Sequence, residues 1–232
     1  NDSRSVATKY NLMSQLVFKF PFKTKYYEQD YYVSSNNFLT YRLIENWPRW
    51  PDKWVNIFGP KGCGKTHLSN ILKKKITNSK IVNAGSIDGI ELVNFDKLEC
   101  LIIDNYQFNI DEKLFYTILN HSKQCDNYVV INSISPIKDI KFKLEDLKSR
   151  AESFVSLGIE LPTDDLLRVI ISKTFSEKQI YINPKISEYI IKNIERSYDK
   201  VFKFIKEIDD LSLSSGKSIN INLIKKVLTN NE

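Results

Sequence analysis

The sequence predicts an α/β fold, a parallel five-stranded sheet flanked by helices, followed by a small all-α region. Three observations predict it. Short apolar segments alternate with amphipathic stretches of helical period, which is the pattern of successive βα units. A glycine-rich string, "GPKGCGKT" (59–66), joins one apolar segment to one helix. Beyond Pro162 the apolar strands stop and helical patterns follow one another.

The elements are read in order. Residues 1–14 read as a flexible leader. "QLVFKF" then alternates Leu16, Phe18 and Phe20 against Val17 and Lys19, a period-2 pattern that suits an extended segment at 15–22. "SSNNFLTYRLIENW" reads as a helix capped by Ser or Asn, with Leu39, Leu43 and Ile44 on one face. "WVNIF" is a buried strand feeding the glycine-rich string, and "HLSNILKKKI" is the helix after it. "KIVNA", "CLIID", "NYVVINS" and "SFVSLGIEL" are the other strands. "DEKLFYTILNHSK" is a helix with Leu114, Ile118 and Leu119 inward. The α/β part therefore covers residues 23–162.

The segment 163–232 reads as a helical subdomain of four amphipathic stretches: "TDDLLRVIISKTFSEKQ", "NPKISEYIIKNIE", "SYDKVFKFIKEIDDLSL" and "NINLIKKVLTN". Thr163 suits an N-cap. Asn183, with Pro184 at the first helical position, suits another.

Composition excludes several classes. The chain has 232 residues, 42% of them hydrophobic and 27% charged, which is ordinary for a globular protein. No apolar run approaches the ~18 residues needed to cross a bilayer. The N-terminal string "NDSRSVATKYNL" has no apolar h-region. The three cysteines, Cys63, Cys100 and Cys125, have no CxxC spacing. They read as reduced thiols in a cytoplasmic protein rather than as a disulfide frame or zinc site. The net charge of +6 is spread along the chain rather than blocked. Strong direct DNA binding is not expected, and no membrane partner is. Lys73, Lys74 and Lys75 fit the solvated end of a helix, where cations complement its dipole.

The chemistry is concentrated in Gly59, Pro60, Lys61, Gly62, Cys63, Gly64, Lys65 and Thr66, which satisfy GxxxxGK[ST] in full. Glycines let backbone amides converge on phosphate oxygens, and the following helix N-terminus adds positive potential. Lys65 is read as reaching the β and γ phosphates of ATP or ADP, and the Thr66 hydroxyl as a ligand to Mg²⁺. A chance glycine-rich turn is the alternative. Asp104 ends an apolar strand 38 residues after Thr66 and is read as the carboxylate beside that magnesium; alone, it would read as a turn cap. Asn132 and Ser133 end the next strand and are read as hydrogen-bonding a γ-phosphate or water; the alternative is that polar residues end most strands. Asn105 follows Asp104 where a second carboxylate would help activate water. Asn cannot accept a proton, so slow intrinsic hydrolysis is expected.

Several strings together resemble the DnaA/Hda branch of the AAA+ P-loop ATPases. They are "DYYVSSNN" (30–37), "ENWPRWPDKWVNIFGPKGCGKTHLSNI" (45–71), "LIIDN" (101–105), "LEDLKSRAES" (144–153), "GIELPTDDLLRVIISK" (158–173) and "ERSYDKVFKFIKEIDDLSL" (195–213). The resemblance is closer to the short Hda-type regulators. On that reading the chain ends with its helical lid, with no DNA-binding helix-turn-helix after it. The resemblance implies an AAA+ domain with a lid at 163–232. It assigns Val33, His67 and Arg168 to the nucleotide along with the loop; a solvent-facing side chain is the alternative for Arg168. It implies that Gln15, Leu16, Phe18 and Phe20 bind the DNA polymerase sliding clamp by extended-peptide recognition; from spacing alone they read rather as an edge strand packing its own core. Lys19 departs from the pattern there.

The resemblance also implies that Arg150, in "DLKSR", acts as an arginine finger in trans on ATP held by the replication initiator DnaA. A guanidinium beside a γ-phosphate is worth ~10³–10⁵ in rate. A surface Arg near a helix end is the plain alternative. The lid position where the family carries a phosphate-sensing Arg holds Asp199, with Arg196 and Lys200 nearby. AAA+ proteins meet neighbours at the nucleotide site, so a homodimer is among the expected partners. A helicase loader, a nucleotide-dependent replication scaffold and a fragment of an initiator are the competing readings.

Overall fold

The computed structural model describes residues 28–88, 95–107, 109–178, 180–215 and 219–229. The expected leader (1–14) and extended peptide (15–22) lie outside the described residues.

The five expected strands form one parallel sheet in the order β2-β3-β4-β1-β5. They are β1 (Trp54–Phe58), β2 (Ser79–Asn83), β3 (Cys100–Tyr106), β4 (Tyr128–Ser133) and β5 (Val155–Gly158). The central strands β3 and β4 are nearly continuous apolar runs, as burial on both faces requires. Helices α1 (Phe38–Glu45) and α2 (Lys65–Lys75) bring Leu43, Ile44, Leu68, Ile71 and Leu72 onto one face of the sheet. Helices α3 (Glu112–Cys125) and α4 (Glu145–Glu152) bring Phe115, Ile118, Leu119, Leu147 and Ala151 onto the other. Each fully buried side chain of this kind is worth about 1.5–3 kcal/mol, which makes the two apolar layers the main force holding the sheet.

Two inward faces differ in detail from expectation. Leu39 is 68% exposed, and Thr40 is the buried residue of that turn. The physical reason is that Thr40 lies under β5, where its hydroxyl donates to the Gly158 carbonyl at 3.3 Å. In α3, Phe115 is buried and Leu114 only partly so. Asp111 caps that helix, accepting from the amides of Lys113 and Leu114, a cap worth ~1 kcal/mol.

Four helices follow the sheet: α5 (Asp164–Glu177), α6 (Pro184–Asn193), α7 (Tyr198–Ser215) and α8 (Ile221–Thr229). Thr163 and Asn183 cap α5 and α6 through their side chains. Leu167, Ile171, Phe175, Ile190, Val201, Ile205 and Ile224 give this region its own core. Leu166 and Tyr198 pack instead against the sheet's apolar layer, and so join the helical region to it. Among the described residues no helix is long and apolar enough to cross a membrane.

Candidate functional site

The carboxyl end of β1 becomes the phosphate loop. Its path is dictated by close approach. A Cβ added at Gly59 would lie 2.6 Å from the Ile159 carbonyl oxygen, which backbone cannot yield. Gly64 has φ of 100°, a left-handed value that L side chains avoid, and it opens α2. The loop, with residues 105–107 and 132–134 and Phe202 of α7, lines a cleft of about 440 Å³.

The polar groups of the cleft are locked together. Thr66 Oγ1 donates to Asp104 Oδ2 at 2.7 Å. The Asn132 amide donates to Asp104 Oδ1 at 2.8 Å and to Ser69 Oγ at 2.7 Å. Asp104 must accept, and this fixes which way the Asn132 amide points. Its Oδ1 is then buried with no partner among the described residues. Lys65 Nζ donates to the carbonyls of Gly59 and Pro60 at 2.7 and 2.9 Å, which folds it over its own loop. Cys63 is buried in that loop; burial pushes its thiol pKa up, while Lys65 pulls against the shift.

This donor set fits a magnesium–nucleotide. Thr66 and Asp104 would hold the ion, which supplies charge neutralisation for the phosphates. Lys65 and the loop amides would hold the phosphates. Among the described residues no group of three His, Cys, Asp or Glu side chains could hold a metal unaided. Magnesium ordinarily takes one or two protein groups, with phosphates and water completing its shell.

A second polar layer lies below. Asn56, in the middle of β1, is fully buried. It donates to the Ile131 carbonyl and to Ser133 Oγ, and accepts from the Ile137 amide. Sequence reasoning missed Asn56 and Ser69. The one signal was an Asn interrupting the apolar run "WVNIF".

Asn105 is explained by backbone geometry. Its φ is 58°, and β3 carries an extra residue there: Ile103 pairs with Ile131, yet Tyr106 pairs with Ser133. Asn is among the few non-glycine residues that tolerate this left-handed conformation at a bulge. The bulge brings Asn105 and Gln107 to the cleft wall.

The remaining expected residues fall in different places. His67 lines the cleft and meets Tyr31 edge-on at 5.4 Å. Tyr31 packs against Gly64 and stacks on Tyr41. Val33 lies half-buried in the segment between Tyr31 and α1. Arg168 is not brought to the cleft. It pairs with Glu188 at 2.8 Å and Asp165 at 2.7 Å on the outside of the helical region, because α5 turns its apolar face, not Arg168, towards the sheet. Arg196 pairs with Asp164 and Lys200 with Glu195. Asp199 reaches the phosphate loop and pairs with Lys61 at 3.7 Å.

Arg150 is also away from the cleft. Its guanidinium lies 4.7 Å from the Tyr116 ring centroid and 5.9 Å from that of Trp54, the first residue of β1. A five-residue strand spans about 13 Å between its first and last Cα, and the loop starts only after the last. Gln15, Leu16, Phe18 and Phe20 lie outside the described residues.

No protein-family model matches the chain. Among curated proteins, it is similar to the chromosomal replication initiator protein DnaA of Campylobacter jejuni, 27% identical over 196 residues, 75% of this chain and 44% of that protein. It is also similar to DnaA of Chlorobaculum tepidum, 26% identical over 161 residues, 60% of this chain and 32% of that one. The chain spans less than half the length of these relatives. Among solved structures, domain III of Thermotoga maritima DnaA superposes with a TM-score of 0.73 at 17% identity, covering 91% of this chain and 98% of that one. DnaA from Aquifex aeolicus bound to AMPPCP gives 0.66 at 18% identity, covering 81% and 65%. The Thermotoga maritima RuvB branch-migration motor gives 0.59 at 20%, covering 77% and 61%. The chain thus has the AAA+ fold, with a helical region after the sheet, and is related in sequence to the replication initiator DnaA.

Proposed function

We propose that this protein is a nucleotide-bound regulator of replication initiation of the Hda type. It binds ADP or ATP with Mg²⁺ through residues 59–67 and Asp104. It promotes hydrolysis of ATP on the initiator by presenting Arg150 in trans, and it engages the sliding clamp through Gln15, Leu16, Phe18 and Phe20. Its own turnover is slow, its DNA contacts are weak, and it works in the cytoplasm as a monomer or homodimer.

The observation that carries this reading is the separation of Arg150 from the cleft. A guanidinium held over Trp54, about one strand length from the loop, has no route to the chain's own γ-phosphate. A charge that stabilises a phosphoryl-transfer transition state must touch the transferring group. Arg150 therefore serves a neighbour or no phosphate at all. The cleft supports the same reading. Asn105 cannot act as a base, and Asp104 is already engaged by Thr66 and Asn132.

The test is hydrolysis of radiolabelled ATP preloaded on the cognate initiator, with this protein, DNA-loaded clamp and ADP. Wild type should accelerate hydrolysis. Arg150→Ala should abolish the acceleration, and Gln15→Ala should remove its dependence on the clamp. No acceleration by a wild-type protein that binds nucleotide would leave the loader or scaffold as the account.

A further inference from the structure

Arg150 lies in the last turn of α4, half-buried against two aromatic rings. The nearer is Tyr116 of α3, whose centroid is 4.7 Å from the guanidinium carbon. The other, Trp54 at 5.9 Å, is itself fixed: its indole N–H donates to Ser122 Oγ at 2.8 Å, and its ring stacks on Phe154. Asp146 stands four residues before Arg150 on α4, the spacing at which a carboxylate and an arginine ordinarily pair. Among the described residues, however, Arg150 makes neither that ion pair nor any side-chain hydrogen bond. Arg168 and Arg196, by contrast, are both engaged by carboxylates. Helix α3 holds α4 at a second point. Glu112 accepts from the amides of Lys143 at 3.0 Å and Leu144 at 2.9 Å, where α4 begins. Glu112 and Tyr116 are four residues apart and share one face of α3. The carboxylate fixes the start of α4, and the ring meets the side chain from its end.

From this geometry we infer that Tyr116 is the positioning residue of Arg150: its ring holds the guanidinium in place, with the charge unneutralised and the N–H groups free for a triphosphate bound to another protein. The inference rests on the reading of Arg150 as acting in trans. A carboxylate would hold the side chain as firmly, but it would occupy the N–H groups and offset the charge, and that pair would have to break before a phosphate could be met. An aromatic ring attracts the cation through its quadrupole and takes no N–H. It also removes in advance part of the rotamer freedom that a long side chain loses on binding. The Tyr116 hydroxyl makes no hydrogen bond among the described residues. The holding is therefore done by the ring, and phenylalanine should do it equally well.

The experiment makes two measurements on wild type, Tyr116→Phe, Tyr116→Leu and Arg150→Ala. The first is the Nε–Hε signal of Arg150 in nitrogen-edited NMR, assigned by its loss in Arg150→Ala. Ring currents should displace it in wild type and in Tyr116→Phe, and it should move towards the free-arginine position in Tyr116→Leu. The second is hydrolysis of ATP on the cognate initiator, titrated with each variant in the presence of DNA-loaded clamp and ADP. Tyr116→Phe should match wild type. Tyr116→Leu should lower the maximal rate about three- to tenfold, with the half-saturating concentration and the ADP affinity as in wild type. A merely structural role for Tyr116 would shift the half-saturating concentration and leave the maximal rate intact, and that result overturns the inference. So does an Nε–Hε signal that Tyr116→Leu does not move. An inactive Arg150→Ala beside a fully active Tyr116→Leu overturns the inference alone. Full acceleration by Arg150→Ala, or none by wild type, overturns the trans reading and this inference with it.

Discussion

Thr66 and Asp104, 38 residues apart in the chain, meet through a 2.7 Å hydrogen bond at the foot of the phosphate loop. The bond joins the first turn of α2 to the end of β3. Asp104→Asn keeps the volume and a hydrogen-bonding group, so it should fold. It removes the negative charge that a magnesium ion needs. We expect nucleotide affinity in Asp104→Asn to lose its dependence on magnesium, with titrations in magnesium and in EDTA giving the same value. Asp104→Ala should in addition cost about 1–3 kcal/mol, because the buried Asn132 amide loses an acceptor.

The loop's entry is set by sterics. Gly59→Ala would drive a Cβ into the Ile159 carbonyl. The expected outcome is lost nucleotide binding and a stability loss of about 1–3 kcal/mol, read by calorimetry and by chemical denaturation. A variant that binds as wild type does would mean the β1–β5 spacing yields more easily than this packing implies.

Asn105 sits in the left-handed region at the β3 bulge. Asn105→Gly should therefore hold stability within ~0.5 kcal/mol. Asn105→Val should lose about 1–2 kcal/mol, since a β-branched side chain strains that conformation. Equal melting temperatures for the two variants would contradict the explanation given for Asn105.

Arg150→Ala should leave the chain's own nucleotide affinity unchanged, because the side chain packs at the far end of β1. It should lower stability by about 0.5–1 kcal/mol through loss of its contacts with Tyr116 and Trp54. A large fall in nucleotide affinity would refute the separation of the two ends.

Alkali should destabilise the protein over two successive pH ranges. Burial raises the pKa of the Cys63 and Cys100 thiols and of the Tyr31, Tyr106 and Tyr198 phenols. A raised folded pKa gives stability that is complete below the ordinary value and is lost as pH climbs from there. The loss should begin near the ordinary thiol value, about 8.5, and steepen past the ordinary phenol value, about 10. Circular dichroism should move together with the last part of the tyrosinate absorbance, that of Tyr31, Tyr106 and Tyr198. Ionisation of these three with the fold intact would contradict this burial.

The parts legible in the sequence were those with a fixed local pattern. Strand, glycine-rich loop and helix in that order leave little freedom, and the strand-end position of Asp104 carries its pairing with Thr66. The caps at Thr163 and Asn183 are local chemistry and were equally readable. What could not be read depended on partners distant in sequence. Thr40 displaces Leu39 from the interior because of Gly158. Arg168 turns away from the cleft to Glu188. Asn56 is accepted inside a sheet only because Ile131, Ser133 and Ile137 satisfy it. Asn105 suggested a missing base, but its backbone angle gives it a conformational reason as well.

Strand β1 carries the phosphate loop at one end, and Arg150 packs at the other. The two features share a rigid support and no atoms. A substitution that lowers turnover in the cleft need not disturb the arginine. A change in the arginine's surroundings equally need not rebuild the loop. A molecule divided in this way can give up being a consumer of nucleotide and still act on another protein's consumption of it, with no change of fold between the two ways of life.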